Sequence, residues 1–386
     1  MRNPIFGRRI HIAGSVPDNV EHATEIESLR ARKFVALLVK ELLKKGATFV
    51  VPVDAEKKRQ DGTPICFDWL VWQTIRENMH LRPHGAPTPV AIAVKHHKNQ
   101  EQIPPEFQDL WDEFSISDSV RTESAAHWNM NSKRMEAQAR HGDVLVTVGG
   151  GEGILFLSNE YHDQGKPVIP VDFRISVPGS GTHRLVEYSQ TGSSAARFFR
   201  TTDGNTSLTW IERLIPNSRN EPQQIVDRVT ELMGVLVPPT AFAVRLLNPK
   251  SPDYADVQNF FDTVVKPVIE DEYGYSLVVV DGAQAVEHSR IDQEIFAKLR
   301  RSRLVIADIT GVRPNCFIEL GYALGRAVPT IATAREGTET PFDVMSYATH
   351  HWKTTGSVDE RRREFRTHFE AVKNRPPLVH DDPLIP

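Results

Sequence analysis

One unit occurs twice in this chain, and that repetition constrains the fold more than any other feature. Asp143-Val-Leu-Val runs through Gly149-Gly-Gly-Glu-Gly153 and a helical stretch to Gly165-Lys-Pro-Val168. Arg303-Leu-Val-Ile runs through a Gly/Pro loop and a second helical stretch to Gly325-Arg-Ala-Val328. Val144 to Val168 and Leu304 to Val328 span the same interval. Each unit reads as a buried strand, a loop, a helix and a strand, the order that builds parallel pairs with helical crossovers. Two units are too few for a solenoid. The expected fold class is therefore α/β, with two doubly wound domains whose sheets are mostly parallel.

The rest of the alternation fits around these units. Arg9–Ser15, Thr48–Val53, Val90–Val94 and Pro167–Val171 read as further strands of the first half. Phe34, Leu37, Leu38, Leu42 and Leu43 recur at helical spacing between Glu25 and Lys45, with Gly46 as the stop. Residues 55–88 read as an excursion from the sheet. The Gly/Ser/Thr-rich stretch 174–209 reads as a loop or cap containing Pro178-Gly-Ser-Gly-Thr182, a mobile cover for a ligand. Val237-Pro-Pro-Thr240 reads as a stiff connector. It divides the chain into residues 1–236, with a core at 9–172, and residues 237–386. In the second half, 241–247, 276–280 and 328–332 read as strands, 253–271, 288–301 and 357–373 as helices, and 333–341 as a loop.

Composition removes several function classes. A net charge of −4 supplies no field for a nucleic-acid partner. No apolar run approaches the ~20 residues that span a bilayer, and the N-terminal Met1–Arg9 carries charge without a following apolar stretch. Cys66 and Cys316, the 2 cysteines, fit a reducing cytoplasm better than a disulfide framework. The pairs His96-His97 and His350-His351 lack the spacing of a metal motif, so no metal and no cofactor is expected.

Chemistry concentrates where the two buried strands end. In open α/β sheets ligands bind outside the carboxyl ends of the strands. The second unit places Asp308 there, then Thr310 and Gly311, then a helix with Asn315 and Glu319 four apart on one face. Asn315 suits an N-cap, and free amides at a helix start receive phosphate. Gly321 and Gly325 remove bulk from that helix, which allows close packing or close ligand approach. Breaking a ribosyl N-glycosidic bond develops oxocarbenium character that a carboxylate stabilises or attacks. Residue types alone leave two readings: a catalytic Glu319 with Asp308 orienting it or a ribose hydroxyl, or a solvent-facing glutamate and a turn-starting aspartate.

In the first unit, Gly149, Gly150, Gly151, Glu152 and Gly153 join a strand to a helix. Gly14 and Ser15 end the first strand, so both loops lie on one sheet edge. Glycines admit a ligand close to the backbone, although a tight turn needs them too. Arg134 is placed to face a phosphate or to pair with Glu136 or Glu152. The pattern is neither a dinucleotide fingerprint nor a Walker loop. Trp69, Trp72, Trp111 and Trp128 serve either for base stacking or for core packing.

Two resemblances sharpen this. Residues 241–353 resemble the TIR-like and nucleoside 2-deoxyribosyltransferase-like superfamily, a flavodoxin-like fold. The motifs are Ala307-Asp308-Ile-Thr310-Gly311, Pro314-Asn315-Cys-Phe-Ile-Glu319-Leu-Gly321-Tyr-Ala323 and the helix Arg290-Ile-Asp-Gln-Glu-Ile. The resemblance implies that Glu319 is the catalytic carboxylate, with Asp308 and Asn315 beside it. Leu246, Asn248, Thr310, Gly311 and Gly321 would contact substrate. Residues 9–172 resemble the Rossmann-like SLOG superfamily, related to LOG proteins, through Ile10–Ser15, the helix with Arg134, and Gly149–Gly153. Its hydrolytic members carry a Pro-Gly-Gly-x-Gly-Thr loop; here the Pro and Thr are absent, which points to a sensor. The resemblance implies an antiphage effector that cleaves NAD as substrate when a nucleotide second messenger binds the first domain, and that self-associates on activation. The rival expectations are a deoxyribosyltransferase or N-glycosidase acting on (deoxy)nucleotides, a non-catalytic nucleotide sensor, and hydrolysis by the SLOG-like domain itself.

Overall fold

The computed structural model describes residues 3–18, 23–96, 103–125, 130–191, 198–217, 219–280, 291–345 and 347–373. His97, Trp128 and Arg290, singled out above, lie outside the described residues, as does the tail from Asn374. The chain divides into two compact units, Met1–Val237 and Pro238–Pro386.

The first unit holds β1 (Arg9–Ser15), α1 (Glu25–Lys44), β2 (Thr48–Val53), α2 (Asp68–Asn78), β3 (Ala91–His96), α3 (Gln108–Ser115) and β4 (Val120–Ala125). It continues with α4 (Met130–His141), β5 (Val144–Gly149), α5 (Glu152–Asp163), β6 (Val168–Pro170), α6 (Gly181–Ser189), α7 (Ser207–Leu214) and α8 (Pro222–Val235). Its strands lie in the order β4-β3-β2-β1-β5-β6, and every pairing is parallel. β2 and β5 are buried along their whole length, as strands covered on both faces must be. Side chains alternate between the covers. Ile10, Ile12, Val144, Val146 and Val148 meet Phe34, Leu38, Trp72 and Val229 of α1, α2 and α8. Ala13 and Leu145 meet Ala139, Leu157 and Tyr161 of α4 and α5.

Trp69 and Trp72 are core residues. Their indole N–H groups donate to the Asp54 and Pro52 carbonyls, so these rings are not a stacking platform. The segment read as a mobile cover is wedged into the fold at its end, where Gly181 and Thr182 are buried and α6 begins, while Pro178 and Gly179 are exposed.

The second unit holds β7 (Thr240–Val244), α9 (Tyr254–Phe260), β8 (Ser276–Val278), α10 (Ile291–Arg301), β9 (Leu304–Asp308) and α11 (Pro314–Gly325). β10 (Thr330–Arg335), α12 (Phe342–Met345), β11 (Thr349–Trp352) and α13 (Val358–Val372) complete it. The order β11-β10-β9-β7-β8 is parallel throughout. In chain order this is the 2-1-3-4-5 arrangement of flavodoxin-like sheets. α9 continues through widened π-turns at Phe261–Val265 and Pro267–Glu272, where Pro267 has no N–H to continue a tight ladder. β10 runs to Arg335, so part of the stretch read as a loop is strand. Both units are therefore α/β with doubly wound parallel sheets.

Candidate functional site

Each sheet reverses its winding once, and the predicted residues gather at those two reversals. In the second unit the reversal lies between β7 and β9, where Val244 pairs with Ala307. The loops leaving these strands are tied together. Arg313 Nη2 donates to Ser251 Oγ at 2.7 Å, and the Arg335 amide donates to Thr310 Oγ1 at 2.8 Å. Arg335 also pairs with Asp253 at 2.5 Å and Asp256 at 2.7 Å. Gly311 takes φ +75°, and a Cβ there would approach Asp253 Oδ2 to 3.0 Å. Val312 takes φ +51°, a costly conformation for a β-branched residue. The turn into α11 is thus held against its local preference.

Glu319 stands on α11 within this frame. Its side chain is half-buried and makes no hydrogen bond or ion pair among the described residues, and burial pushes its carboxyl up to about 7. A carboxylate desolvated without a partner is the usual mark of a functional group. Asn315 is exposed one turn earlier on the same face. It is not the N-cap: Arg313 caps α11, Pro314 takes the first helical position, and Asn315 follows. The proline sets the helix start two residues earlier than an Asn315 cap would.

Asp308 sits differently from its predicted surroundings. It is fully buried. Oδ2 accepts from Thr333 Oγ1 and Trp352 Nε1, both at 2.8 Å, and Oδ1 accepts from the Thr310 amide at 3.1 Å. Burial raises its pKa and these donors oppose the rise. Asp308 therefore fastens β9, β10 and β11 together, with both oxygens engaged by protein. Thr310 is likewise buried and engaged. The Leu246 side chain packs in the core, while Asn248 is exposed and its Oδ1 accepts from the Lys250 amide at 3.1 Å. Gly321 and Gly325 have nothing within 4 Å of a built Cβ, so neither serves close packing. Cys316 is buried and its thiol is pushed up to about 12 by burial, which leaves it unreactive at neutral pH.

In the first unit the reversal lies between β1 and β5, where Ser15 pairs with Gly149. The glycines here are needed sterically. A Cβ on Gly14 would sit 1.8 Å from the Val148 carbonyl oxygen, and one on Gly181 would sit 2.0 Å from that of Gly150. The Gly150 amide donates to the Ser15 carbonyl at 2.7 Å, and Thr182 Oγ1 donates to the Gly149 carbonyl at 2.9 Å. Gly151 caps α5 without a side chain, leaving first-turn amides without intrahelical partners. Glu152 and Gly153, both exposed, open that helix. Glu152 already complements the helix dipole, so an incoming phosphate must compete with it.

Arg134 pairs with Asp54, just beyond β2, at 2.5 Å, rather than with Glu136 or Glu152. The sequence reading passed over this acidic side. Asp54 and Glu56 follow β2, and Asp68 begins α2 two residues after Cys66, which bridges to Ser15. Asp68 makes no hydrogen bond among the described residues. Burial, then Glu56, pushes it up to about 7, and Arg134 opposes the rise. An acid at the end of β2 meets ribose hydroxyls in dinucleotide folds, and that position was the available signal.

Also missed was a pair beyond β6. Asp172 Oδ2 accepts from His183 Nδ1 at 2.7 Å, beside a cavity of about 450 Å³. Among the described residues, no group of three or more His, Cys, Asp or Glu side chains is arranged to hold a metal, and no helix is long and apolar enough to cross a membrane.

Comparison with known proteins adds to this geometry. The sequence model of the family described as "ATP nucleosidase Cap17-like, N-terminal" matches residues 5–235, more than half of the chain. No curated protein matches. Among solved structures, the structural-genomics target TM1055 is 19% identical, over 47% of this chain and 81% of that one, with a TM-score of 0.28. The UDP-GlcNAc 2-epimerase from Methanocaldococcus jannaschii is 11% identical, over 74% of this chain and 85% of that one, with a TM-score of 0.23. The UDP-GlcNAc 2-epimerase from Neisseria meningitidis, bound to UDP-GlcNAc, is 11% identical over 94% and 91%, with a TM-score of 0.21.

Proposed function

This chain belongs to the Cap17-like ATP nucleosidase family through its N-terminal part, and from that premise we propose that it is a nucleotide N-glycosidase of a cellular defence system. The second unit cleaves the bond between nicotinamide and ribose in NAD, with Glu319 as the central carboxylate. The first unit holds an adenine nucleotide that acts as signal, its phosphate at the loop Gly149–Gly153 and the start of α5.

The observation that carries this reading is Glu319 itself, half-buried at the reversal of the sheet and pushed up to about 7 by burial with no partner among the described residues. Once ionised, it faces the ribose carbon that becomes positive as the glycosidic bond breaks. Charge stabilisation there lowers the barrier selectively, because the ground state is uncharged at that carbon. Asn315, one turn earlier, supplies an amide for a ribose hydroxyl. The family description supports N-glycosidic chemistry on a nucleotide, and the resemblance of residues 241–353 to TIR-like proteins supports NAD.

The test is base release from NAD by the purified chain, with and without cyclic ADP-ribose isomers and cyclic oligonucleotides, alongside Glu319→Gln. Nicotinamide released by the unmodified chain and lost in the variant supports the reading. A free nucleobase from deoxynucleotides, with NAD untouched, moves it to the deoxyribosyltransferase-like rival. Nucleotide binding without any turnover makes it a sensor.

A further inference from the structure

We propose that Arg335 is a positioning residue for Glu319: through Asp253 and Asp256 it sets the turn by which α11 leaves β9, and that turn aims the glutamate. The proposal rests on the reading that Glu319 breaks the glycosidic bond, and it names what holds the carboxylate in place.

Three observations carry it. The first is where the acids of α9 turn. Asp253 stands at the N-cap of α9, yet its side chain makes no capping bond there, although aspartate at that position ordinarily accepts from the helix amides. Its Oδ1 lies 2.5 Å from Arg335 Nη2 instead, and Asp256 Oδ2 lies 2.7 Å from Nη1. One guanidinium at the end of β10 thus holds two carboxylates at the start of α9. Arg335 is 33% exposed and Asp256 42%, so water screens the pairs and they add little to stability. What they fix is geometry.

The second is the turn beside them. A Cβ on Gly311, at φ +75°, would lie 3.0 Å from Asp253 Oδ2. Val312 follows at φ +51° and is exposed, so no packing offsets the strain of a β-branched residue in that region. The turn is tied on both sides. Before it, the Arg335 amide donates to Thr310 Oγ1 at 2.8 Å. After it, Arg313 Nη2 donates to Ser251 Oγ at 2.7 Å. A strained turn persists only while its surroundings hold it.

The third is the reach from the turn to the carboxylate. Glu319 lies 5 residues beyond Pro314, the first of α11, which is about 7.5 Å along the helix axis. A tilt of about 10° at the turn moves it by about 1.3 Å, and a misplacement of about 1 Å costs about 100-fold in rate. α11 packs on the sheet through Cys316, Leu320 and Ala323. On its other side Ile318 is exposed, and Gly321 and Gly325 have nothing within 4 Å of a built Cβ. Among the described residues one face alone grips this helix, so its attachment at the turn sets its angle.

The experiment uses the full-length chain and reads activity and placement separately. Nicotinamide release from NAD, under the activators named above, gives kcat and KM for the unmodified chain, Arg335→Gln, Arg335→Lys and Asp256→Asn. The Glu319 carboxyl is followed by carbon-13 NMR of glutamate-labelled protein, its signal being the one missing from Glu319→Gln. Thermal unfolding checks that each variant is folded. In Arg335→Gln, kcat is expected to fall about 100-fold with KM little changed. The Glu319 carboxyl titrates at about 7 in the unmodified chain, where burial holds it. In Arg335→Gln it falls toward the ordinary glutamate range as the group moves into water. Loss of a neighbouring cation would by itself raise it, so the direction separates displacement from charge. Arg335→Lys keeps the charge without the two-carboxylate fork and recovers part of both readouts. Asp256→Asn, at an exposed position, moves both readouts the same way by less, and it decides the matter where Arg335→Gln does not fold. A Glu319 titration that stays or rises in the folded variants overturns the inference whether or not kcat falls, because placement is then unchanged. So does an unmodified kcat in both Arg335 variants. Neither result touches the Glu319 reading. That reading fails if Glu319→Gln releases nicotinamide at the unmodified rate or if no protein releases any, and the titration then decides alone whether Arg335 places Glu319.

Discussion

Glu319 and Asp308 are both carboxylates near one strand end, yet their environments assign them opposite work. Asp308 has three protein donors, and Glu319 has none among the described residues. Asp308→Ala should therefore be severe, because it strands the buried Trp352 indole and Thr333 hydroxyl; a loss of about 2–4 kcal/mol in chemical denaturation is expected. Glu319→Gln should act in the other direction. Its carboxyl is raised in the folded state, so the native protein holds that proton more tightly than the unfolded chain does. The associated stability is complete below the ordinary glutamate range and is lost as pH rises through about 7. Glu319→Gln is thus expected to be more stable than the unmodified chain at pH 8. The gain, discounted for the water its side chain still meets, is on the order of 1 kcal/mol, and it disappears toward pH 5. If the ionised form serves catalysis, NAD cleavage rises with pH through the same range. Glu319 was legible from its spacing and resemblance. Asp308's saturation was not, because Thr333 and Trp352 reach it from strands distant in sequence. Asp68 was hidden for the same reason, since its neighbours Asp54 and Glu56 come from the end of another strand.

The glycines act at the scale of elements, where they separate into two kinds. At Gly14 and Gly181 a side chain would collide with backbone oxygens. Ala at Gly14 should cost about 1–3 kcal/mol or more and weaken nucleotide binding; unchanged binding affinity in a folded variant would contradict the placement of β1 against β5. Gly321, exposed and uncrowded within α11, behaves oppositely. Gly321→Ala should raise stability by about 0.5–1 kcal/mol, the helix preference alone. If NAD cleavage also falls in that variant, Gly321 borders substrate. Buried elements were the readable ones: β5 and β9 are buried throughout and mostly apolar because helices cover both faces. β4 and β11 escaped notice because these two edge strands carry polar residues. Val120–Ala125 carries Arg121, Thr122 and Glu123, and Thr349–Trp352 carries two histidines, so neither shows an apolar run. α6 was obscured by the Gly/Ser/Thr content around it.

Across the whole molecule, each unit encloses its own core. Leu38, Trp72 and Val229 belong to one, and Phe260, Phe365 and Phe369 to another. Separate cores predict separate responses to damage. Leu38→Ala should lower one thermal transition by calorimetry and leave the other in place, whereas a single transition shifted as a whole would show that the units unfold together. The repeated strand–loop–helix–strand unit announced both sheets and put a glycine loop at one reversal and Glu319 at the other. It said nothing of His183 and Asp172, which come from the strand end and helix that follow the first unit. The central claim is that Glu319 breaks an N-glycosidic bond of NAD, and the most direct measurement is chromatography of nicotinamide released by the full-length chain and by Glu319→Gln, with the activating nucleotides present. The account predicts release by the first and a drop of about 100-fold or more in the second. Equal release from both proteins would contradict it.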